Sequence, residues 1–144
     1  KIVSFPTTGG TAAALNYNEE YSYSATVSGP VANQSITVYC YRMGKKVIMW
    51  FPGCIKNGNS TGATISITAM PEARLLPQTT GGLGSGALTS TVYVYNNGAG
   101  RLGLVGYSLT TGAITVYSDV NAAAFTASAA STGFDAFGLC YVCA

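Results

Sequence analysis

The stretch SITVYCYRMGKKVIMWF, residues 35–51, carries the pattern that decides the fold class. Within it Ile36, Val38 and Cys40 alternate with threonine and tyrosine. A period of two is typical of a strand whose two faces meet different surroundings. The glycine in RMGKK then predicts a turn, and KVIMWF, residues 46–51, has the length of a further strand. This stretch therefore predicts two consecutive strands joined by a turn.

The same alternation returns along the rest of the chain. TVYVY, residues 91–95, and ITVY, residues 114–117, repeat it, and NNGAG and LTTGAI supply turn residues between strands. PEARLLPQ, residues 71–78, is bracketed by prolines and is predicted to be a loop. About eight strands can be counted, further candidates being residues 21–27, 63–69, 101–109 and 134–142. The prediction is an all-β, antiparallel, two-sheet jelly-roll sandwich.

The length and composition predict one domain. The chain has 144 residues, 18 of them glycine, and only 8% are charged, which favours short strands over helices. Residues 1–20 are rich in threonine, glycine and alanine and are predicted to form a lead-in segment. Residues 21–144 are predicted to form the jelly-roll domain.

The end of the chain, STGFDAFGLCYVCA, poses a problem of burial. If residues 134–142 form one strand, then Phe137, Leu139 and Tyr141 point to one side, and Phe134 and Val142 point to the other. Both sides are apolar, whereas one face of a sheet usually meets water. The pattern predicts that something covers the second face.

The residue types in the sequence give little support for a catalytic function. Histidine is absent, which excludes a Ser-His-Asp or Cys-His arrangement. A pair of carboxylates would have to come from five dispersed acids, and we expect no enzyme activity and no cofactor. These acids are Glu19, Glu20, Glu72, Asp119 and Asp135.

Two short motifs have alternative interpretations. Gly98, Gly100 and Gly103 have the spacing of a dinucleotide-binding loop, but the residues that follow are poor helix formers, so we interpret them as a hairpin turn. Cys140 and Cys143 have the spacing of a zinc or redox pair, although residues i and i+3 of a strand face opposite ways. Zinc, a disulfide and free thiols all stay open for the four cysteines, with free thiols preferred and no metal site assigned.

Charge and hydropathy limit the kinds of partner that the chain is expected to bind. A net charge of +2 without a broad basic stripe argues against nucleic acid, and no apolar run has the length of a membrane span, so neither partner is expected. The tyrosines stand out instead. Tyr39 with Tyr41, and Tyr93 with Tyr95, are spaced to place two rings on one face of a sheet. The rings could stack on sugars, but packing in a subunit interface or between neighbouring strands is preferred.

Four longer stretches carry a family resemblance. The C-terminal heads of phage and other viral tail-fibre proteins are similar to TTGGTAAALNYNEEYSYSATVSG, YCYRMGKKVIMWFPG, ATISITAMPEARLLP and the tail from residue 100. The resemblance spans nearly the whole chain, but the cysteines are not part of the pattern and no glycine follows the paired glutamates. It implies a C1q/TNF-like jelly roll that forms a homotrimer at a virion surface.

The resemblance also implies roles for particular residues. Three copies would share one axis, which would cover the second face of the last strand. The predicted trimer-interface residues are Trp50, Phe134, Phe137, Leu139 and Tyr141. The predicted receptor-contact loops contain Asn57, Asn59, Thr61, Thr79 and Ser85.

The resulting expectation is a non-enzymatic structural protein of a virion surface that contacts a host-surface glycan or protein receptor. Two alternatives stay open. One is a capsid decoration or assembly protein that binds other virion proteins and no receptor. The other is a secreted, extracellular C1q/TNF-like ligand.

Overall fold

The computed structural model describes residues 18–29, 32–56, 61–77, 87–127 and 129–143. None of these residues is α-helical, and none lies in a helix long and apolar enough to cross a membrane. Ten strands follow one another along the chain. They are β1 (Asn18–Ser28), β2 (Gln34–Met43), β3 (Lys46–Phe51), β4 (Cys54–Lys56), β5 (Ile65–Ile67), β6 (Ala87–Asn96), β7 (Ala99–Ser108), β8 (Ile114–Tyr117), β9 (Thr132–Phe134) and β10 (Phe137–Val142).

The strands form one antiparallel sheet in the order β10-β3-β2-β1-β5-β8-β7-β6-β9-β4. The sheet curls, so strands far apart in its order share a core, and the rings of Tyr107 in β7 and Tyr141 in β10 lie 5.2 Å apart. The all-β antiparallel prediction is confirmed. Because the strands form a single curled sheet, the finer assignment to a two-sheet C1q/TNF-like jelly roll stays a proposal.

Alternation along each strand builds the core. In β3 the side chains of Val47, Met49 and Phe51 are fully buried, while Ile48 and Trp50 are exposed. The predicted turns are also confirmed, because β2 pairs with β3 and β6 pairs with β7 as hairpins. Residues 97 and 98 between β6 and β7 both have positive φ, 56° and 76°, as a two-residue type I′ turn requires.

The C-terminal segment departs from the predicted single strand. The chain leaves strand geometry at Asp135 and Ala136, so two strands, β9 and β10, replace one. β9 pairs with β4 and β6, whereas β10 pairs with β3. The break reverses the alternation, so Phe134 lies in the core together with Phe137 rather than opposite to it.

The remaining boundaries differ in smaller ways. β1 begins at Asn18, so residues 18–20, which the prediction gave to the lead-in, already lie in a strand paired with β2. Residues 1–17 lie outside the described residues. The predicted loop contains a 3₁₀ turn at Ala73–Leu75, and Leu75 is buried beneath it. β4 has no counterpart among the predicted strands.

Candidate functional site

Three neighbouring strands place large side chains on their outer face. Since Val38 and Cys40 of β2 and Met49 of β3 point into the core, Tyr39 and Trp50 must point outward. Tyr39 is 57% exposed and Trp50 is 53% exposed. They are direct partners across the β2–β3 ladder, so their side chains stand beside each other on the surface.

These side chains border a surface depression with a volume of about 420 Å³. Two rows of outward residues run across it, and the strand registers align Ser22 with Tyr39 and Trp50, and Glu20 with Tyr41 and Ile48. The described residues that line it come from three adjacent strands: Glu20, Tyr21 and Ser22 of β1, Tyr39, Cys40 and Tyr41 of β2, and Ile48 and Trp50 of β3. We call this feature the depression.

The position of the Trp50 indole depends on a glycine in the next strand. Gly138 of β10 is the ladder partner of Trp50. A Cβ placed on Gly138 would lie 3.6 Å from Cε3 and 3.9 Å from Cζ3 of the indole. The benzene ring of Trp50 therefore lies over the backbone of β10, where no side chain pushes it away.

Polar groups surround the aromatic residues of the depression. Glu20 is the one charged side chain among the lining residues, and Ser22, Tyr39 and Tyr41 contribute hydroxyl groups. Within the described part of the chain, no hydrogen bond engages the side-chain oxygens of these four residues. Burial raises the pKa of the Cys40 thiol to about 12, so this residue adds no charge at neutral pH. The depression thus combines an apolar floor with free hydrogen-bonding groups and one negative charge.

A second aromatic face lies on the other half of the sheet. Tyr93 of β6 is 48% exposed and is the ladder partner of Leu102 of β7, which is 53% exposed. The rings of Tyr93 and Tyr95 meet edge to face at 5.5 Å and 82°. We call the outward side chains of Tyr93, Tyr95, Leu102 and Leu104 the tyrosine–leucine face. It contains no charged side chain.

Four of the five predicted interface residues lie inside the chain's own core. Phe134, Phe137, Leu139 and Tyr141 are each at most 6% exposed. Phe137 stacks on Phe51 at 4.5 Å, and the Tyr141 hydroxyl donates to the Leu75 carbonyl at 2.7 Å.

The chain itself therefore covers the inner face of β10, and these four side chains would have to leave the core to contact another copy. Trp50 is the one predicted interface residue on the surface. The outward side of β10 carries Gly138, Cys140 and Val142, and Val142 is 42% exposed. Self-association as such stays a prediction.

Of the predicted receptor-contact residues, only Thr61 is described. It is exposed, and its hydroxyl donates to the Gly29 carbonyl at 3.4 Å. Asn57, Asn59, Thr79 and Ser85 lie outside the described residues.

The other candidates for chemistry occupy structural positions. Gly98 lies in the β6–β7 turn, which fits the interpretation as a hairpin, while Gly100 and Gly103 lie in strand β7. Cys140 is exposed while Cys143 is buried, all four cysteines are free thiols, and the described residues contain no group of three potential metal ligands.

Two of the candidate acids, Glu19 and Asp119, make separate structural contacts. Glu19 forms an ion pair with Arg74, and this hydrogen bond is the main reason why the pKa of Glu19 is lowered. Asp119 accepts hydrogen bonds from the backbone amides of Asn121 and Ala123 at 2.9 and 3.0 Å. Each of these carboxylates has a structural role, and the two lie on different elements.

Sequence reasoning did not find Glu20 and Ser22 as parts of a site. The prediction placed Glu20 in the lead-in, next to Glu19. Had β1 been extended to Asn18, alternation would have placed Glu20 and Ser22 on the outward face. Their positions beside Tyr41 and Tyr39 depend on a strand register that the sequence does not reveal.

The sequence matches no family model and no curated protein sequence. A solved structure with a similar fold is that of the reovirus attachment protein sigma1 in complex with alpha-2,3-sialyllactose. The TM-score is 0.51 at 12% sequence identity, and the similarity covers 92% of this chain and 68% of the sigma1 chain. At this identity the likeness concerns the fold, which is a β-rich fold shared with a viral attachment protein.

Proposed function

We propose that this chain is a non-enzymatic head domain at a virion surface that attaches the particle to a glycan or protein receptor on the host cell. The observation that carries the proposal is the fold likeness to a viral attachment protein, which extends over 92% of the chain. The depression supports it further, because concave sites with an apolar floor and a few polar groups are typical of ligand binding.

The distribution of ionisable groups supports a binding role over a catalytic one. Acid–base catalysis generally uses two groups within reach of one substrate. Among the described residues that line the depression, Glu20 is the only carboxylate, and Glu19, its neighbour in sequence, points to the other face and pairs with Arg74. Because no second carboxylate, lysine or arginine lines the depression in the described part of the chain, retention of a ligand is the simplest role for these residues.

We further propose that the head is a homotrimer with C1q/TNF-like jelly-roll topology. With four of the predicted interface residues in the core, the contact would use an exposed surface. The tyrosine–leucine face suits this role, because it is apolar and uncharged, and tyrosine is enriched in interfaces. Light scattering should give about three times the chain mass of 14.8 kDa. A particle of one chain mass at micromolar concentration would refute the trimer.

Binding to cells tests the attachment function directly. The fluorescently labelled chain is added to candidate host cells before and after treatment with glycosidases or proteases, and the same chain is applied to an array of glycans. We expect saturable binding that one of the two treatments removes. If neither cells nor glycans bind the chain while antibodies to it label virions, the capsid decoration or assembly role replaces attachment.

A further inference from the structure

We propose that the depression binds an uncharged pyranose, a hexose or N-acetylhexosamine unit of a glycan, with Trp50 and Tyr39 as the stacking surface and Glu20 as the main hydrogen-bond acceptor. This inference rests on the proposed attachment function. It adds the location of the site and the chemical class of the ligand.

The shape and chemistry of the aromatic residues support a sugar. One face of a pyranose ring carries mostly C–H bonds and is apolar, whereas its edge carries hydroxyl groups. Trp50 and Tyr39 stand beside each other across one ladder rung, and the Trp50 indole rests over the bare backbone at Gly138. Aromatic rings offer a large rigid surface with little loss of conformational freedom, which suits weak, oriented contacts with a ring-shaped ligand.

The polar groups complement the hydroxyl edge of the same ligand. Glu20 lies one row away from the Tyr39–Trp50 row, and Ser22 stands within that row, so a ring over the aromatic residues would have its edge near both. A carboxylate accepts strong, charge-assisted hydrogen bonds from hydroxyl or amide groups. Because these side-chain oxygens make no hydrogen bonds within the described residues, no existing contact has to break.

The charge of the depression selects among sugars. Of the lining residues that the structure describes, Glu20 alone carries a charged side chain, and that charge is negative. A ligand carboxylate, as in sialic acid, would meet a like charge and could not donate a hydrogen bond to it. The same charge argues against a second copy of this chain as the occupant, because apolar packing would remove water from Glu20 without supplying a partner. The tyrosine–leucine face carries no such charge.

Fluorescence of the single tryptophan gives a specific test, because Trp50 is the only tryptophan in the chain. Lactose, the N-acetylglucosamine disaccharide and alpha-2,3-sialyllactose are each titrated into the purified chain to millimolar concentrations. We expect a saturable change in Trp50 emission with at least one of the two neutral sugars, and at least tenfold weaker association with sialyllactose. Equal or stronger association with sialyllactose would overturn the proposal.

Two variants with a matched control locate the interaction. Glu20→Gln keeps the shape but removes the charge, and should weaken binding of the neutral sugar about tenfold, since a charge-assisted hydrogen bond becomes a neutral one. Glu72→Gln removes an acid that does not line the depression and should leave binding unchanged. Trp50→Ala, tested by saturation-transfer NMR after circular dichroism confirms folding, should abolish binding.

The outcomes separate this inference from the proposed function. If the chain binds cells or arrayed glycans but Trp50→Ala binds them equally well, attachment stands and the site assignment is wrong. If no neutral sugar, cell or glycan binds, both fail. If Trp50→Ala instead lowers the mass measured by light scattering, the depression is a contact between copies and the sugar site is refuted.

Discussion

Replacing Tyr141 by phenylalanine removes one hydroxyl group from the core and should lower the free energy of unfolding by about 2 kcal/mol. The hydroxyl donates to the backbone carbonyl of Leu75 at 2.7 Å, and it lies 3.4 Å from the Tyr107 hydroxyl and from the Met49 sulfur. Burial raises the pKa of Tyr141, and the hydrogen bond with Tyr107 raises it further, so the group stays protonated and remains a donor.

The size of the effect follows from the group left behind. Without the hydroxyl, the Leu75 carbonyl loses its hydrogen-bond donor. Leu75 is only 1% exposed, so water does not replace that donor. A buried polar group left unsatisfied costs about 1–3 kcal/mol, while a long hydrogen bond such as the 3.4 Å contact adds little. For a chain of this length, about 2 kcal/mol corresponds to a fall in Tm of about 4–8 °C.

Urea unfolding followed by circular dichroism measures the difference, with two matched variants for comparison. Tyr107→Phe removes only the longer bond and should cost about 0.5 kcal/mol. Tyr39→Phe removes an exposed hydroxyl and should stay within about 0.5 kcal/mol of the parent. If Tyr141→Phe were no more destabilising than Tyr39→Phe, then Tyr141 would not anchor the 3₁₀ turn to the core, and its assignment to the core of the single chain would be wrong.

Three further substitutions test other local features. Thr132→Val should raise the free energy of unfolding, measured by urea titration, by about 1–2 kcal/mol. The reason is that the buried Thr132 hydroxyl has no hydrogen-bond partner among the described residues. A loss of stability would mean that this hydroxyl does have a partner. Ala122→Gly should stabilise the chain by up to about 1 kcal/mol, since Ala122 has a φ of 63° in the left-handed region, and a lower Tm would contradict this. Burial raises the pKa of Cys40 from its ordinary 9.0 to about 12. The contribution of this thiol to stability is therefore complete below pH 9 and is lost as the pH rises to 12. Cys40→Ala should flatten the alkaline decline in the free energy of unfolding by at most about 1.4 kcal/mol per pH unit, and an unchanged slope would argue against this linkage.

The sequence predicted the hairpins well because their information is local. Alternation in residues 36–41 places Val38 in the core, and the turn after Met43 needs a residue that tolerates the φ of 58° found at Gly44. Both signals lie within a few residues of the feature that they specify. The curled antiparallel sheet follows from many such hairpins, and its fold class was predictable for that reason.

The split of the last strand was not predictable because its cause is distant in sequence. Gly133 has a φ of 155°, and a Cβ there would lie 2.0 Å from the carbonyl oxygen of Cys54. This close approach joins β9 to β4, a strand almost eighty residues earlier, and sends β10 to pair with β3 instead. A continuous apolar alternation over residues 134–142 gives no sign of it, which explains why Phe134 was placed on the wrong side.

The depression could not be predicted from the sequence for a related reason. Tyr39 and Trp50 could each be predicted as outward residues, but their adjacency depends on the register of one hairpin. The presence of Glu20 depends on the pairing of β1 with β2. A shift of a single residue in either register would turn one row into the core. The site is therefore a property of the sheet as a whole, and not of one motif.

The two exposed aromatic faces differ in a way that separates their roles. An apolar face gains most from association with a matching face of another copy, because burial removes water from both sides and leaves no polar group unsatisfied. The tyrosine–leucine face comes closer to that condition, because it carries no charge and its polar side-chain atoms are two tyrosine hydroxyl groups, which can hydrogen-bond across a contact. The depression does not, because burial against an apolar surface would strand the Glu20 carboxylate and the nearby hydroxyl groups. A ligand rich in hydroxyl groups would satisfy those groups and still cover Trp50. The two proposals therefore assign self-association to one half of the curled sheet and the receptor sugar to the other.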